Sequence, residues 1–140
     1  MTVFLVDNSV WARFASGDPR ATSRLRRIAD APADLFVTCP PQVLEFCHSA
    51  RTATEHIDHR ERISLGFALE RTPEESLVLD IQRALWSAGL ARAAGPLDIL
   101  LAGYALVNDA TVLTSDRDFD HIASVTALRH EYLAPSPRGA

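Results

Sequence analysis

Four carboxylates stand where an acidic centre can be assembled from distant segments of this chain. Asp7 follows the apolar run Val3–Val6, and Asp116 closes Val112-Leu113-Thr114-Ser115-Asp116. Glu45 lies one helical turn beyond Leu35–Thr38, among apolar neighbours, and Asp98 follows Gly95-Pro96. Carboxylates crowded together repel, and one must take a proton unless a cation neutralises them. Hard divalent cations such as Mg2+, with Mn2+ as a substitute, take oxygen ligands and keep several waters, so a few carboxylates suffice. One or two such ions activate a water and stabilise the leaving oxygen in phosphodiester cleavage. Each acid also has a purely structural reading. Asp7 can satisfy backbone N–H groups of a following helix, and Glu45 can be an exposed helix residue. Asp98 can complement a helix dipole, and Asp116 can cap the helix after its turn. Their joint placement is what favours the metal reading.

Bringing the four together requires a sheet. Val3–Val6, Leu35–Thr38 and Thr111–Thr114 read as buried strands, and Leu128–Leu133 as a further one. Helical stretches separate them. Ser9 is placed to cap a helix over Val10–Ala15. Asp18-Pro19 opens another over Arg20–Ala29, with Leu25 and Ile28 on one face and Arg20, Arg24 and Arg27 on another. Pro40-Pro41 opens a helix through Glu45 to His48, and Thr54–Leu69 reads as helix after a break. Thr72-Pro73-Glu74-Glu75 reads as a capping box that starts a helix from Pro73 to Ala93. Leu97–Val107 and Asp116–Ala123 complete the helices. Strands joined through helices require crossovers, hence a mainly parallel sheet with helices on both faces. Sites in such sheets form beyond the carboxyl ends of the strands, and the four acids fall there. The expected fold is a single α/β domain over residues 1–134, followed by a flexible tail over 135–140.

The 140 residues are 47% hydrophobic, enough for a core without disulfides or metal staples. There is no apolar run long enough for a membrane span and no signal-peptide pattern, so a cytoplasmic location without membrane attachment is expected. A formal net charge of -4 argues against gripping nucleic acid by charge alone. The four carboxylates account for a charge equal to that whole sum, and two magnesium ions would cancel it. All 14 cationic residues are arginine, which excludes any mechanism that needs lysine. Neither a P-loop nor G-x-G-x-x-G is present, so a nucleotide cofactor has no support. Cys39 and Cys47 have the spacing of neither a zinc site nor a redox pair and read as buried thiols.

The segments FLVDNSVW, PPQVLEF, PLDILLAGYAL and VLTSDRDFD, in this order and approximate spacing, resemble a PIN domain. The small size resembles the VapC toxins of type II toxin–antitoxin pairs. The resemblance covers nearly the whole chain and implies a PIN-like domain acting as an endoribonuclease that hydrolyses RNA with metal-activated water. It makes Asp7 and Asp98 the principal ligands of Mg2+ or Mn2+, with Glu45 and Asp116 completing the catalytic acids. Asp118 is a candidate fifth member, although Asp118 or Asp120 can equally be solvated or capping residues. Ser9 resembles the small hydroxyl that supports the metal site. Asn8 stands where Thr is frequent, and its amide can still hydrogen-bond. The resemblance further implies a homodimer and a cognate VapB-like antitoxin whose tail blocks the acidic groove.

Other residues carry weaker signals. Arg13, Arg20, Arg24 and Arg27 can track a phosphate backbone or form a solvated helix face. Arg13, whose helix starts beside Asp7, and Arg117, beside Asp116, are the candidates for binding RNA. His56 and His59 read as part of a solvated face rather than a metal pair. Trp11 and Trp86 lie on apolar stripes and read as core or subunit-interface residues. The alternative function is a non-catalytic PIN-like module that binds RNA or protein, and the intact set of acids argues against it. A phosphotransferase of the haloacid-dehalogenase type needs a second acid where Ser9 stands, and it also needs a lysine; a response-regulator receiver likewise wants a lysine.

Overall fold

The computed structural model describes residues 1–137. Its strands are β1 (Thr2–Val6), β2 (Asp34–Thr38), β3 (Phe67–Ala68), β4 (Thr111–Thr114) and β5 (Arg129–Tyr132). They form one sheet in the order β3-β2-β1-β4-β5, and every pairing is parallel. The helices are α1 (Asn8–Ala15), α2 (Pro19–Asp30), α3 (Pro40–His48), α4 (Ala53–Ile63), α5 (Glu75–Ser87), α6 (Pro96–Val107) and α7 (Asp118–Val125).

Side chains alternate across a pleated strand, and here both faces are buried. Leu5, paired with Val37 and Val112, packs with Ile81, Leu85, Leu101 and Ala105 of α5 and α6. Phe4, Val6 and Leu113 pack with Val10 of α1 and with Leu25 and Ile28 of α2. The chain winds from β1 out to β3, then crosses back to build β4 and β5 on the other side. The winding reverses between β1 and β4. A crevice opens at such a switch point because the flanking connections leave in opposite directions. Asp7 and Asp116 follow the two strands that form it.

Several local expectations are corrected. Ser9 does not cap α1: Asp7 occupies the N-cap position, and the Ser9 hydroxyl turns toward its carboxylate. Thr54–Leu69 is not one helix. α4 stops at Ile63, and the chain then runs so close to β2 that a Cβ on Gly66 would lie 2.9 Å from Thr38 Cγ2. Phe67–Ala68 then pairs with Val37 and Thr38 as the edge strand. α5 is shorter than its apolar periodicity suggests, and the capping box at Thr72 does not form; Glu74 is the N-cap, without a side-chain cap bond. Its far end is set by Gly89 at φ +73, where Gly89 N–H donates to Trp86 O and Leu90 N–H returns to Leu85 O. That pair of bonds needs a left-handed residue, which glycine adopts without a Cβ clash. A capping box is found instead between Cys39 and Gln42.

Both cysteines are buried and free, and burial pushes the Cys39 thiol up to about 11. Trp11 packs against Phe14, Phe36 and Phe46, whereas Trp86 is 49% exposed and so is not a core residue of this chain. His59 stacks on Phe46 rather than lying free on a solvated face. Of the expected tail, Pro135 accepts from Arg20 Nη1, and Ser136 donates through N–H and Oγ to Asp18 at the start of α2. Residues 138–140 of that tail lie outside the described residues. Among the described residues no helix is long and apolar enough to cross a membrane.

Candidate metal centre

Asp7 is delivered by the sheet itself. Its N–H donates to Leu113 O (2.8 Å), continuing the β1–β4 ladder, and its side chain is buried at the mouth of the crevice, with the residue only 5% exposed. Ser9 Oγ donates to Asp7 Oδ2 at 2.6 Å, and Thr114 Oγ1 donates to the same oxygen at 3.0 Å. Each hydroxyl also accepts a backbone amide: Ser9 Oγ from Ser115 N–H and Thr114 Oγ1 from Asp116 N–H, both at 2.9 Å. These bonds orient Asp7 and tie it to the loop that carries Asp116.

The other acids arrive from three helices and that loop. Asp98 sits in the first turn of α6, and Asp118 is the first residue of α7. Asp116 Oδ1 accepts the Asp118 N–H at 2.9 Å, so Asp116 does support the start of α7 while also facing the other acids. One carboxylate oxygen from each of Asp98, Asp116 and Asp118 lies within 4.8 Å of the others. Glu45 approaches from α3, and its Oε2 is buried with no hydrogen-bond partner.

The electrostatics follow from this crowding. Burial, then the charges of Asp7, Asp116, Asp118 and Glu45, pushes the Asp98 carboxyl up to about 7. Burial, then Asp7 and Asp116, raises Glu45 as well. Asp118 is raised by burial and by the adjacent Asp116. Among the described residues none of the five acids is in an ion pair; Arg13, Arg24, Arg117 and Arg129 pair with other carboxylates. A buried carboxylate oxygen with no donor is costly, and a set of oxygen ligands carrying this much negative charge suits a hard divalent cation. The residues present therefore fit such an ion.

Asp120, three residues from Arg117 along the chain, falls outside the cluster. It pairs with Arg117 Nη1 at 3.1 Å and with His130 Nε2 at 2.7 Å. The Arg117 guanidinium carbon lies over the Tyr132 ring, 3.6 Å from its centroid, and the residue is exposed next to the acids. Arg13 reaches Asp18 (4.0 Å), and Arg24 is clamped on Glu131. Asn8 lines a groove of about 740 Å3 between α1, α3 and α4, and the hydrogen bonds to Asp7 come from Ser9 and Thr114 instead. Sequence reasoning passed over Thr114. Its signal was a hydroxyl at an inward-facing strand position directly before the loop of Asp116, where an apolar residue would be expected; it is fully buried.

With this geometry in place, the sequence matches the PIN domain family over residues 4–125. The chain belongs to the PIN-domain family. None of the curated proteins matches it. Among solved structures, this PIN domain is similar to VapBC2 from Rickettsia felis bound to a promoter DNA fragment, with a TM-score of 0.73 at 12% identity. It is also similar to DNA-bound VapBC from Salmonella typhimurium (0.71, 18%) and to VapBC-1 from nontypeable Haemophilus influenzae (0.69, 17%). Each match covers 94% of this chain and 98% of the other. At these identities the likeness is one of fold, and it extends over nearly the whole PIN domain.

Proposed function

We propose that this PIN domain is a divalent-metal-dependent endoribonuclease and the toxin of a type II toxin–antitoxin pair. The observation that carries the reading is the convergence of five acids from the end of β1, α3, α6, the loop after β4 and α7, none of them with an arginine partner among the described residues. Asp98, Asp116 and Asp118, with Asp7 and Glu45, would hold Mg2+ or Mn2+. The bound ion would supply positive charge against a phosphodiester and its departing oxygen. The protein's own groups have distinct tasks. Ser9 and Thr114 hold Asp7 in one rotamer. Asp116 sets the first turn of α7 and thereby the place of Asp118. Arg117, fixed by Asp120 and Tyr132, offers a cation to the RNA backbone at the rim, and Arg13 offers a second on α1. The RNA is the substrate; the reading also includes an antitoxin partner, a homodimer and a cytoplasmic location. Similarity to VapBC structures supports the antitoxin.

Calorimetric titration with manganese separates this reading from a module that binds RNA or protein without catalysis. The wild type is expected to bind, and Asp7→Ala to bind at least about tenfold more weakly. Absence of binding in both proteins overturns the enzyme reading. Sequencing RNA 5′ ends after brief expression, with Glu45→Gln as the control, then identifies the cleaved RNA class.

A further inference from the structure

The β1–β2 ladder has a regular phase. Thr2 N–H donates to Ala33 O (3.0 Å), and the pairing continues as Thr2 with Asp34, Phe4 with Phe36 and Leu5 with Val37. In a parallel pair both polar groups of a residue point to the same neighbour, and alternate residues serve alternate neighbours. Even-numbered residues of β1 therefore serve β2. Odd-numbered ones serve β4, as the bond from Asp7 N–H to Leu113 O shows. The next β1–β2 bond in this phase runs from Cys39 N–H to Val6 O. A side chain stands in that place. Gln42 Nε2 donates to Val6 O at 2.6 Å, and Cys39 N–H donates to Gln42 Oε1 at 3.4 Å. Gln42 is 1% exposed. Its carboxamide acts as an extra peptide unit spliced between the two strands where they part.

The location matters for the site, and the consequence rests on the function proposed above. Val6 is the residue before Asp7. Gln42 lies three residues before Glu45 on α3, so both project from one side of the helix. The cap bond to Cys39 is an ordinary way to start a helix. The bond to Val6 O is not part of the cap, and it fastens α3 directly to the end of β1. We infer that Gln42 is a positioning residue: its carboxamide wedge spreads β1 from β2 and sets the separation of Glu45 from Asp7 across the acidic crevice. Glu45 Oε2 has no hydrogen bond of its own to hold it. Its place is set by how α3 is anchored, and Gln42 supplies the buried polar anchor.

Gln42→Met keeps the length and bulk of the side chain and removes both bonds. Crystal structures of wild type and variant test the geometry without any metal. The expected result is an α3 displaced relative to β1, with an altered distance between the Glu45 and Asp7 carboxylates; an unmoved α3 overturns the inference. Manganese titration of the folded variant reads the consequence, an affinity lowered about tenfold, in the range usual for loss of groups that orient metal ligands. RNA cleavage should show a matching fall in kcat with KM little changed, because the RNA-facing rim is untouched. A variant that melts earlier but binds manganese and turns over like wild type when folded assigns Gln42 a structural role only and refutes the proposal. Should Gln42→Met not fold, Gln42→Asn retains the carboxamide but is one methylene short of spanning both partners, and the same readouts apply to it. If wild type itself binds no manganese, the nuclease reading falls, and the crystal comparison still decides the positional claim.

Discussion

Removing the charge of Asp98 should stabilise the protein when metal is withheld, and the effect should depend on pH. Burial and four neighbouring acids raise this carboxyl from 3.8 to about 7. Between those values the folded protein holds a proton that the unfolded chain has released. Stability therefore falls as pH rises through that window and levels off above about 7. At about 1.4 kcal/mol for each tenfold change in proton affinity, the ceiling is about 4 kcal/mol. Solvent access and sharing of the proton among the coupled acids reduce the expected gain to about 1–2 kcal/mol. Asp98→Asn keeps the shape and abolishes the charge. In urea unfolding with a chelator present, it should exceed wild type by that amount near about pH 8 and by little near about pH 4. Adding Mg2+ should raise the stability of wild type and raise that of Asp98→Asn much less, since ligand binding to the native state adds directly to its stability. A variant equally destabilised at both pH values would refute the reasoning, because the acids would then not be repelling one another.

Two further expectations concern the scaffold. A Cβ on Gly103 would lie 2.9 Å from Val78 Cγ1 and 3.1 Å from Pro73 Cβ, so Gly103→Ala should push α6 from α5 and cost about 1–3 kcal/mol by urea unfolding despite the better helix propensity of alanine; a neutral or stabilising result would mean that the segment around Pro73 yields freely. Arg24 holds Glu131 through Nε (2.6 Å) and Nη2 (2.9 Å) and lies 5.1 Å from the centroid of Phe4, tying α2 to β5. Arg24→Ala should therefore cost about 1–2 kcal/mol, and a loss below about 0.5 kcal/mol would class the pair with ordinary surface ion pairs.

Much of this protein was written locally. Val3–Val6, Leu35–Thr38 and Thr111–Thr114 announced their strands because doubly buried strands must be apolar throughout. Helices between them dictated crossovers, parallel pairing and acids at the carboxyl ends of β1 and β4. Asp7, Glu45, Asp98 and Asp116 could be named as candidates because, although each alone has a structural reading, all four fall beyond the carboxyl ends of the strands. Where local signals misled, a longer-range contact prevailed. Leu65–Leu69 gave up helix because Gly66 lets the backbone lie against Thr38, and Phe67–Ala68 then completes the sheet edge. Ser9 left its capping role because Asp7 offered its hydroxyl a charged acceptor at 2.6 Å.

Sequence alone thus determined most of the elements, their order and the choice of four candidate acids, since each depends on residue type and short-range periodicity. Tertiary structure alone decided which acids draw together and which is bound elsewhere. Asp118 and Asp120 are two residues apart and chemically alike, yet one joins Asp98 and Asp116 while the other faces Arg117 and His130. It also decided that Thr114 and Gln42 serve the crevice. Their roles lie in hydrogen bonds spanning 107 and 36 residues of chain. Such bonds exist only once the sheet has brought those segments within 3 Å of one another, and no local pattern encodes that meeting.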